Sequence, residues 1–137
     1  MRQFIIASHA HFAAGINESV SLLSGERDNV RTLSMYVDGN NDLAAAAAKM
    51  LDETPEGDDL VVCTDLFGGS VNNEFMAALA ENDFTLICGM NMPLLVEILS
   101  DANPGPAAVR AAVDSCKDTI MICNDLLDDG QDCGEDF

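Results

Sequence analysis

The chain has 137 residues, 48% of them hydrophobic, which is enough for one domain with a packed core and argues against general disorder. Its 24 Asp and Glu residues outnumber its 6 Lys and Arg residues, and the net charge of −18 repels phosphate backbones and anionic lipid surfaces. No apolar run reaches the roughly 20 residues that a membrane-spanning helix needs. These properties argue against nucleic-acid binding and membrane association, and we expect a cytoplasmic protein.

Short apolar runs alternate along the chain with segments in which apolar residues recur at helical spacing. The continuous run at 60–64 is typical of a central parallel strand that is covered on both faces. The alternation predicts an α/β fold with an open, mainly parallel sheet of four strands flanked by helices, plus a short C-terminal strand. In chain order we expect a strand at 4–7, a helix at 14–23, strand 30–37, helix 42–51, strand 60–64, helix 70–81, strand 84–88, helices 94–99 and 107–117, and a last strand at 119–123.

The end of the chain differs in composition from the rest. Residues 125–137 hold six acidic residues and no basic one, which predicts a solvated, mostly disordered tail after a domain at 1–124. The five cysteines are odd in number and form no C-x-x-C motif, so we expect free thiols, with Cys63, Cys88 and Cys123 buried in strand-like runs.

Polar clusters follow three of the predicted strands, and carboxyl ends of parallel strands meet at one edge of a sheet. If the first and third strands are neighbours, His9 and Asp65 lie side by side. A helix N-terminus then points backbone N–H groups at the same place, which predicts an imidazole–carboxylate pair beside an anion-binding site. The three clusters are Ser8-His9-Ala10-His11, the segment 65–73 with Asp65, Gly68, Gly69 and Ser70, and Gly89 to Pro93.

The residues leave other interpretations open. A metal site made of His9, His11 and Asp65 lacks a clear fourth ligand, so we expect no metal and no cofactor. A hydrolase would use Ser70 as nucleophile, His9 as base and Asp65 as orienting carboxylate. Against it, Ser70 does not lie in a G-x-S-x-G motif, and we expect its hydroxyl to cap the following helix. His11 is an alternative to His9 as the reacting histidine.

Three motifs together carry a more specific resemblance: Ser8-His9-Ala10, the run Asp65-Leu66-Phe67-Gly68-Gly69-Ser70, and Gly-x-Asn-x-Pro-x-Leu-x-Glu at 89–97. In this order they resemble the IIA component of the mannose family of the bacterial phosphoenolpyruvate-dependent sugar phosphotransferase system, and the resemblance covers about residues 2–124. The chain departs from the family pattern at Ala10, where the family usually has Gly, and at Val71-Asn72, where it usually has Pro-Phe.

The resemblance implies a phosphocarrier. His9 would accept a phosphoryl group from the histidine phosphocarrier protein HPr and pass it to a IIB component, with the membrane components IIC and IID acting later in sugar uptake. Asp65 would orient His9, because a carboxylate that accepts the Nδ1–H bond leaves Nε2 free to attack. No Lys or Arg lies in the motifs, so the phosphoryl charge falls to the amides of Gly68 and Gly69 and to Ser70, or to a cation of the partner.

The resemblance also implies an assembly. It suggests a homodimer in which the strand predicted at 119–123 is exchanged between subunits. A regulatory domain that keeps the fold without phosphoryl transfer is the alternative from another functional class, and the pairing of His9 with Asp65 weighs against it.

Overall fold

The computed structural model describes residues 1–101 and 105–128. These residues form one parallel four-stranded sheet in the order β2-β1-β3-β4, with helices on both faces, which confirms the predicted α/β class. No helix in this part of the chain is long and apolar enough to span a membrane. The elements are β1 (Arg2–His9), α1 (Phe12–Ser24), β2 (Val30–Met35), α2 (Leu43–Asp52), β3 (Asp59–Thr64), α3 (Ser70–Ala78), β4 (Thr85–Ile87), α4 (Met92–Ser100), α5 (Pro106–Cys116) and α6 (Cys123–Asp128).

Each of the two central strands contains a continuous apolar run, residues 4–7 in β1 and 60–63 in β3, because both faces of the sheet are covered there. One side of the sheet packs against α1, α4 and α5, and the other side packs against α2 and α3. The edge strand β2 instead alternates, with Leu33 and Met35 buried and Thr32 exposed, as its sequence pattern predicts. The burial pattern therefore distinguishes the centre of the sheet from its edge.

The pairing of β1 with β3 brings the two most important polar residues together. The parallel register aligns Ala7 with Thr64, so the chain leaves both strands at the same edge, with His9 and Asp65 close to one another. The prediction that the first and third strands are neighbours is confirmed.

The C-terminal end differs from the prediction. Residues 119–122 have no regular structure and pair with no strand in the described chain, and Cys123 begins α6 instead of ending a strand. A strand exists only where its backbone pairs with a neighbour, and exchange with a second subunit stays a prediction. Helix α6 takes in the first residues of the predicted tail, and residues 129–137 lie outside the described residues.

The cysteines divide between core and surface. Cys63 and Cys116 are buried, whereas Cys88 and Cys123 are exposed, and all four are free thiols. The expectation of burial is thus confirmed for Cys63 and wrong for Cys88 and Cys123. Burial raises the pKa of the Cys63 thiol to about 12, so this side chain is an uncharged core residue.

The turn that follows β1 holds Ala10 in the left-handed region, at a φ of 49°. The Ala10 N–H group donates to the Met35 carbonyl at 2.8 Å. The buried Ser8 hydroxyl donates to the Ala10 carbonyl at 3.2 Å and accepts from the Ala13 N–H group at 2.7 Å. These bonds hold the turn in a conformation that costs a non-glycine residue about 1–2 kcal/mol.

We predict that Ala10→Gly raises the free energy of unfolding by about 0.5–1 kcal/mol, because relief of the strain exceeds the added flexibility of the unfolded chain. Urea unfolding followed by circular dichroism measures the change. The matched control is Ala111→Gly at an exposed position of α5, which should lower the same free energy by about 0.5–1 kcal/mol. If both variants are destabilised equally, the turn at Ala10 is not strained.

Candidate functional site

The site is centred on a hydrogen-bonded pair formed by the last residue of β1 and the residue after β3. Oδ2 of Asp65 accepts from the backbone N–H group of His9 at 2.8 Å and lies 2.7 Å from Nδ1 of the same residue. Oδ1 of Asp65 accepts from the Leu66 N–H group at 3.0 Å. Because a carboxylate only accepts, Nδ1 carries the proton, and the neutral imidazole has its lone pair on Nε2.

The second ring nitrogen of His9, Nε2, lies beside the Ser70 hydroxyl, which is itself bonded to the Tyr36 hydroxyl. Ser70 Oγ lies 3.3 Å from His9 Nε2, and the Tyr36 hydroxyl lies 2.7 Å from Ser70 Oγ. The expectation that Ser70 caps the helix is wrong, because Gly69 is the N-cap and Ser70 is the first helical residue. Its hydroxyl is therefore available to the site. The side chain of His9 is 41% exposed, so Nε2 can be reached from outside.

The N-terminus of α3 lies directly against the imidazole. A Cβ atom on Gly69 would come within 2.8 Å of Leu66 Cδ2 and 3.1 Å of His9 Cε1, so a side chain there would push the ring away. Helices α2 and α4 are capped by the side chains of Asp42 and Asn91, but α3 has no side-chain cap. Its first N–H groups and the positive end of its dipole favour an anion at this position.

A buried polar pair fixes α3 against the sheet. The Thr64 hydroxyl donates to Asn72 Oδ1 at 2.7 Å, and both side chains are buried. Val71 is buried beside them in the core formed with α2. The Val71-Asn72 departure from the family pattern thus packs one apolar residue and one hydrogen-bonded polar residue, and it leaves Ser70 at the site. Sequence reasoning missed this pair, although a threonine at the end of an apolar strand was a signal that could have found it.

The other residues of the predicted clusters have local structural roles away from His9 Nε2. Ala10 begins the turn, and His11 bonds through Nε2 to Asp38 at 2.7 Å, on an exposed part of the surface. Asn91 caps α4 and donates to Thr119 Oγ1 at 3.2 Å. The third cluster therefore builds the start of α4. In the described ranges, no group of three or more His, Cys, Asp and Glu side chains is arranged to hold a metal ion.

The residues that follow the strands at this edge of the sheet expose several large apolar side chains. These are Phe12, Tyr36, Leu66 and Phe67, the last of them 77% exposed. Five clefts in the described residues have volumes of about 210 to 820 Å³, and none of the five is lined by His9, Asp65 or Ser70. This shape suits contact with another protein better than enclosure of a small molecule.

Two comparisons of the sequence agree on one family. The chain matches the family model EIIA-man, described as the PTS system fructose IIA component, over residues 3–121. It is also 28% identical over 102 residues to the PTS system fructose-specific EIIA component of Bacillus subtilis strain 168, a match that covers 73% of this chain and 70% of that protein.

Solved structures give the same result. A phosphoenolpyruvate-dependent sugar phosphotransferase system permease from Klebsiella pneumoniae is 36% identical with a TM-score of 0.84, covering 92% of this chain and 93% of that one. A PTS IIA protein associated with the fucose utilization operon of Streptococcus pneumoniae is 28% identical with a TM-score of 0.79, covering 92% and 96%. A mannose/sorbose-specific IIA subunit from Enterococcus faecalis, 21% identical with a TM-score of 0.78 and coverage of 88% and 93%, has the same fold.

The charge of Asp65 has a consequence for stability. Burial by itself raises the pKa of this carboxyl, but hydrogen bonds from the backbone N–H group and the imidazole of His9 bring the pKa below its ordinary value of 3.8. A group with a depressed pKa stabilises the folded state fully above its unfolded pKa, near 3.9, and loses that contribution as the pH falls through the lower folded value.

We therefore predict that Asp65→Asn lowers the free energy of unfolding at pH 7 and flattens its decline between about pH 5 and pH 2. Urea unfolding at a series of pH values measures both effects. Asp38→Asn is the control, because it removes the carboxylate of the exposed pair with His11 at the same edge, and its decline should match that of the wild type. Equal flattening in the two variants would contradict a specific contribution of Asp65.

Proposed function

The chain belongs to the EIIA-man family of the sugar phosphotransferase system, and from this premise we propose that it is a phosphocarrier that accepts a phosphoryl group from HPr on His9 and passes it to a IIB component. One observation carries the assignment to His9. Its Nδ1 is held by Asp65 at 2.7 Å, while Nε2 faces outward beside the uncapped N-terminus of α3. His11 lacks such surroundings, since its Nε2 is bonded to Asp38.

The transfer needs no net movement of protons. The lone pair of His9 Nε2 forms the new P–N bond as the P–N bond of the donor histidine breaks, and the electron pair of the broken bond stays on the donor nitrogen. The imidazole of His9 becomes positive in this step, and the adjacent carboxylate of Asp65 stabilises it while keeping the Nδ1 proton. Transfer to the IIB component is the same step with the donor and acceptor exchanged.

The incoming phosphoryl group meets partial charges rather than a fixed cation. We assign its oxygens to the N-terminal amides and hydroxyl at the start of α3, contributed by Gly68, Gly69 and Ser70. Basic side chains of the described residues pair away from this site. Arg2, for example, bonds to Asp59, and Lys117 bonds to Asp114. A cation from the docked partner would complete the charge balance, which keeps the phosphoryl group loosely held when the carrier is alone.

The partners are proteins, and the surface supports this. Phe12, Leu66 and Phe67, which follow the strands that end at His9 and Asp65, expose their apolar side chains, and His9 itself is partly exposed. HPr and the IIB component would dock on them in turn, each presenting its own histidine or acceptor to Nε2. The membrane components IIC and IID act after the IIB component, and the exchange with HPr would occur in the cytoplasm.

The hydrolase interpretation has one observation in its favour, since Ser70, His9 and Asp65 are linked in the order of a catalytic triad. Two others oppose it. None of the five clefts described above is lined by Ser70, His9 or Asp65, so none of them would place an acyl substrate against these residues. Ser70 Oγ is also hydrogen-bonded to the Tyr36 hydroxyl at 2.7 Å, and accepting that bond would reduce its nucleophilicity.

We predict that incubation with phosphoenolpyruvate, enzyme I and HPr adds one phosphoryl group, about 80 Da, to His9. Intact mass spectrometry measures the addition, and the bond should be labile in acid and stable in alkali, as expected of a phosphohistidine. His9→Ala should abolish the label, because it removes the only nitrogen held with its lone pair outward by Asp65.

His11→Ala is the matched control, since it removes the histidine two positions along, and it should be labelled like the wild type. A label that survives in His9→Ala would contradict the assignment. A label that is stable in acid and lost in Ser70→Ala would favour the hydrolase interpretation.

We also propose that the carrier is a homodimer in which residues 119–122 pair with the sheet of the other subunit. Three of these residues, Ile120, Met121 and Ile122, are apolar and exposed in the single chain, with Ile120 89% exposed. Their start lies near the end of β4, through the bond between Thr119 and Asn91. Strand β4 is at the edge of the sheet, so it has a free side on which another strand can add.

We predict that Ile120→Asp weakens dimerisation at least about a hundredfold, because the variant loses apolar burial and places a carboxylate in the interface. Sedimentation equilibrium at micromolar concentration measures the change. Asn124→Asp adds the same charge at an exposed position of α6 and should leave the dimer intact. A monomeric wild type, or a stable dimer of Ile120→Asp, would show that residues 119–122 are not exchanged.

A further inference from the structure

Tyr36 contacts both side chains at the reactive end of the site, although no sequence motif marks it. Its ring centroid lies 5.5 Å from that of His9, with the two planes tilted by 42°. Its hydroxyl lies 2.7 Å from Ser70 Oγ, which in turn lies 3.3 Å from His9 Nε2. Tyr36 therefore covers one side of the imidazole and ends a chain of polar groups that runs through Ser70 and His9 to Asp65.

The direction of this chain follows from the donors and acceptors. Asp65 only accepts, so His9 Nδ1 donates to it and Nε2 is an acceptor. The group facing Nε2 is the Ser70 hydroxyl, which has one proton and donates it to Nε2. Ser70 Oγ must then accept from Tyr36, whose hydroxyl is the donor of the 2.7 Å bond. The tyrosine thereby sets which way the serine proton points.

The backbone of Tyr36 indicates that this placement is imposed by the turn after β2. Its φ is 69°, in a left-handed region that is uncommon and strained for a bulky side chain. The conformation is held by the bond from the Tyr36 N–H group to the Asn40 carbonyl at 2.7 Å. Such strain at a functional edge is a reason to look for a functional role of the side chain.

We propose that Tyr36 is a positioning residue of the phosphorylation site, which acts through Ser70; this role rests on the proposed function. In the free carrier, Tyr36 keeps the Ser70 hydroxyl directed at Nε2. Once Nε2 bears the phosphoryl group, its lone pair is used, and the same serine proton turns to a phosphoryl oxygen while Tyr36 continues to donate to Ser70. Tyr36 and Ser70 thus provide two hydroxyl groups at a site whose sequence motifs contain no basic residue.

The test is a double-mutant cycle on the rate of His9 phosphorylation by phosphorylated HPr, with Tyr36→Phe, Ser70→Ala and the double variant. Tyr36→Phe keeps the ring and removes the hydroxyl, and it should slow transfer about fivefold, the effect of one neutral hydrogen bond. Ser70→Ala should slow transfer at least as much. The double variant should equal Ser70→Ala, because the tyrosine hydroxyl has no function once its serine is absent.

Asp38→Asn is the matched control for the turn, since Asp38 lies two residues from Tyr36, also has a positive φ, and bonds to His11 rather than to Ser70. The Asp38→Asn variant should be phosphorylated at a rate within about twofold of the wild-type rate. Urea unfolding of every variant checks that each is folded under the assay conditions. Equal slowing in Asp38→Asn and Tyr36→Phe would assign the effect to the turn and overturn the role of the hydroxyl.

A spectroscopic measurement separates positioning from a general structural role. The chain has one Tyr and no Trp, so its tyrosine emission reports on Tyr36 alone. The re-purified phosphoprotein should differ in this emission from the unphosphorylated protein, and the difference should shrink in Ser70→Ala. Unchanged emission, a wild-type rate in Tyr36→Phe, or effects that multiply in the double variant would each overturn the proposal while His9 labelling stands. A wild-type protein that takes no label would overturn the proposed function itself, and this role with it.

Discussion

The site depends on one constraint, the two hydrogen bonds that a single oxygen of Asp65 accepts from His9. One comes from the backbone and the other from the ring, so the carboxylate fixes the position of the residue and the tautomer of its imidazole together. This arrangement requires β1 and β3 to be neighbours in one parallel register, because a shift of one residue would turn the side chains to opposite faces. The register of β1 against β3 therefore determines whether Asp65 can bond to His9.

A chain with a net charge of −18 repels a phosphoryl group, and the site proposed for that group offers backbone amides at the start of α3 instead of a basic side chain. Gly69 leaves room for the imidazole against the start of α3, and the missing side-chain cap leaves the helix amides free. Partial charges hold an anion less strongly than a lysine or arginine would at the same distance. Weak holding suits a carrier, which must release what it accepts.

Much of this could be predicted from the sequence, because it depends on local patterns. Apolar runs identify the parallel sheet, and the polar residues at strand ends place His9, His11 and Asp65 at one edge, while the choice of His9 over His11 comes from the family resemblance. Tyr36 could not be predicted, since its contact with Ser70 depends on a turn in which Tyr36, Asp38 and Gly39 all have positive φ. Asp38 and Gly39 mark the turn, but no residue type there indicates that the tyrosine itself takes a left-handed conformation. The N-cap of α3 was also predicted wrongly, because Gly69 takes that position and Ser70 is the first residue of the helix.

The linkage of Ser70, His9 and Asp65 is geometrically that of a hydrolase, so three residues cannot by themselves decide the function. The surroundings of Nε2 favour the proposed phosphocarrier over a hydrolase. A hydrolase needs a serine whose oxygen is free to attack, and here that oxygen is the natural acceptor for the Tyr36 hydroxyl. A hydrolase also needs a pocket, whereas His9 lies among exposed apolar side chains such as Phe67. The imidazole is exposed and its Nε2 carries a lone pair, so the histidine nitrogen is the nucleophile that the proposed phosphocarrier would use.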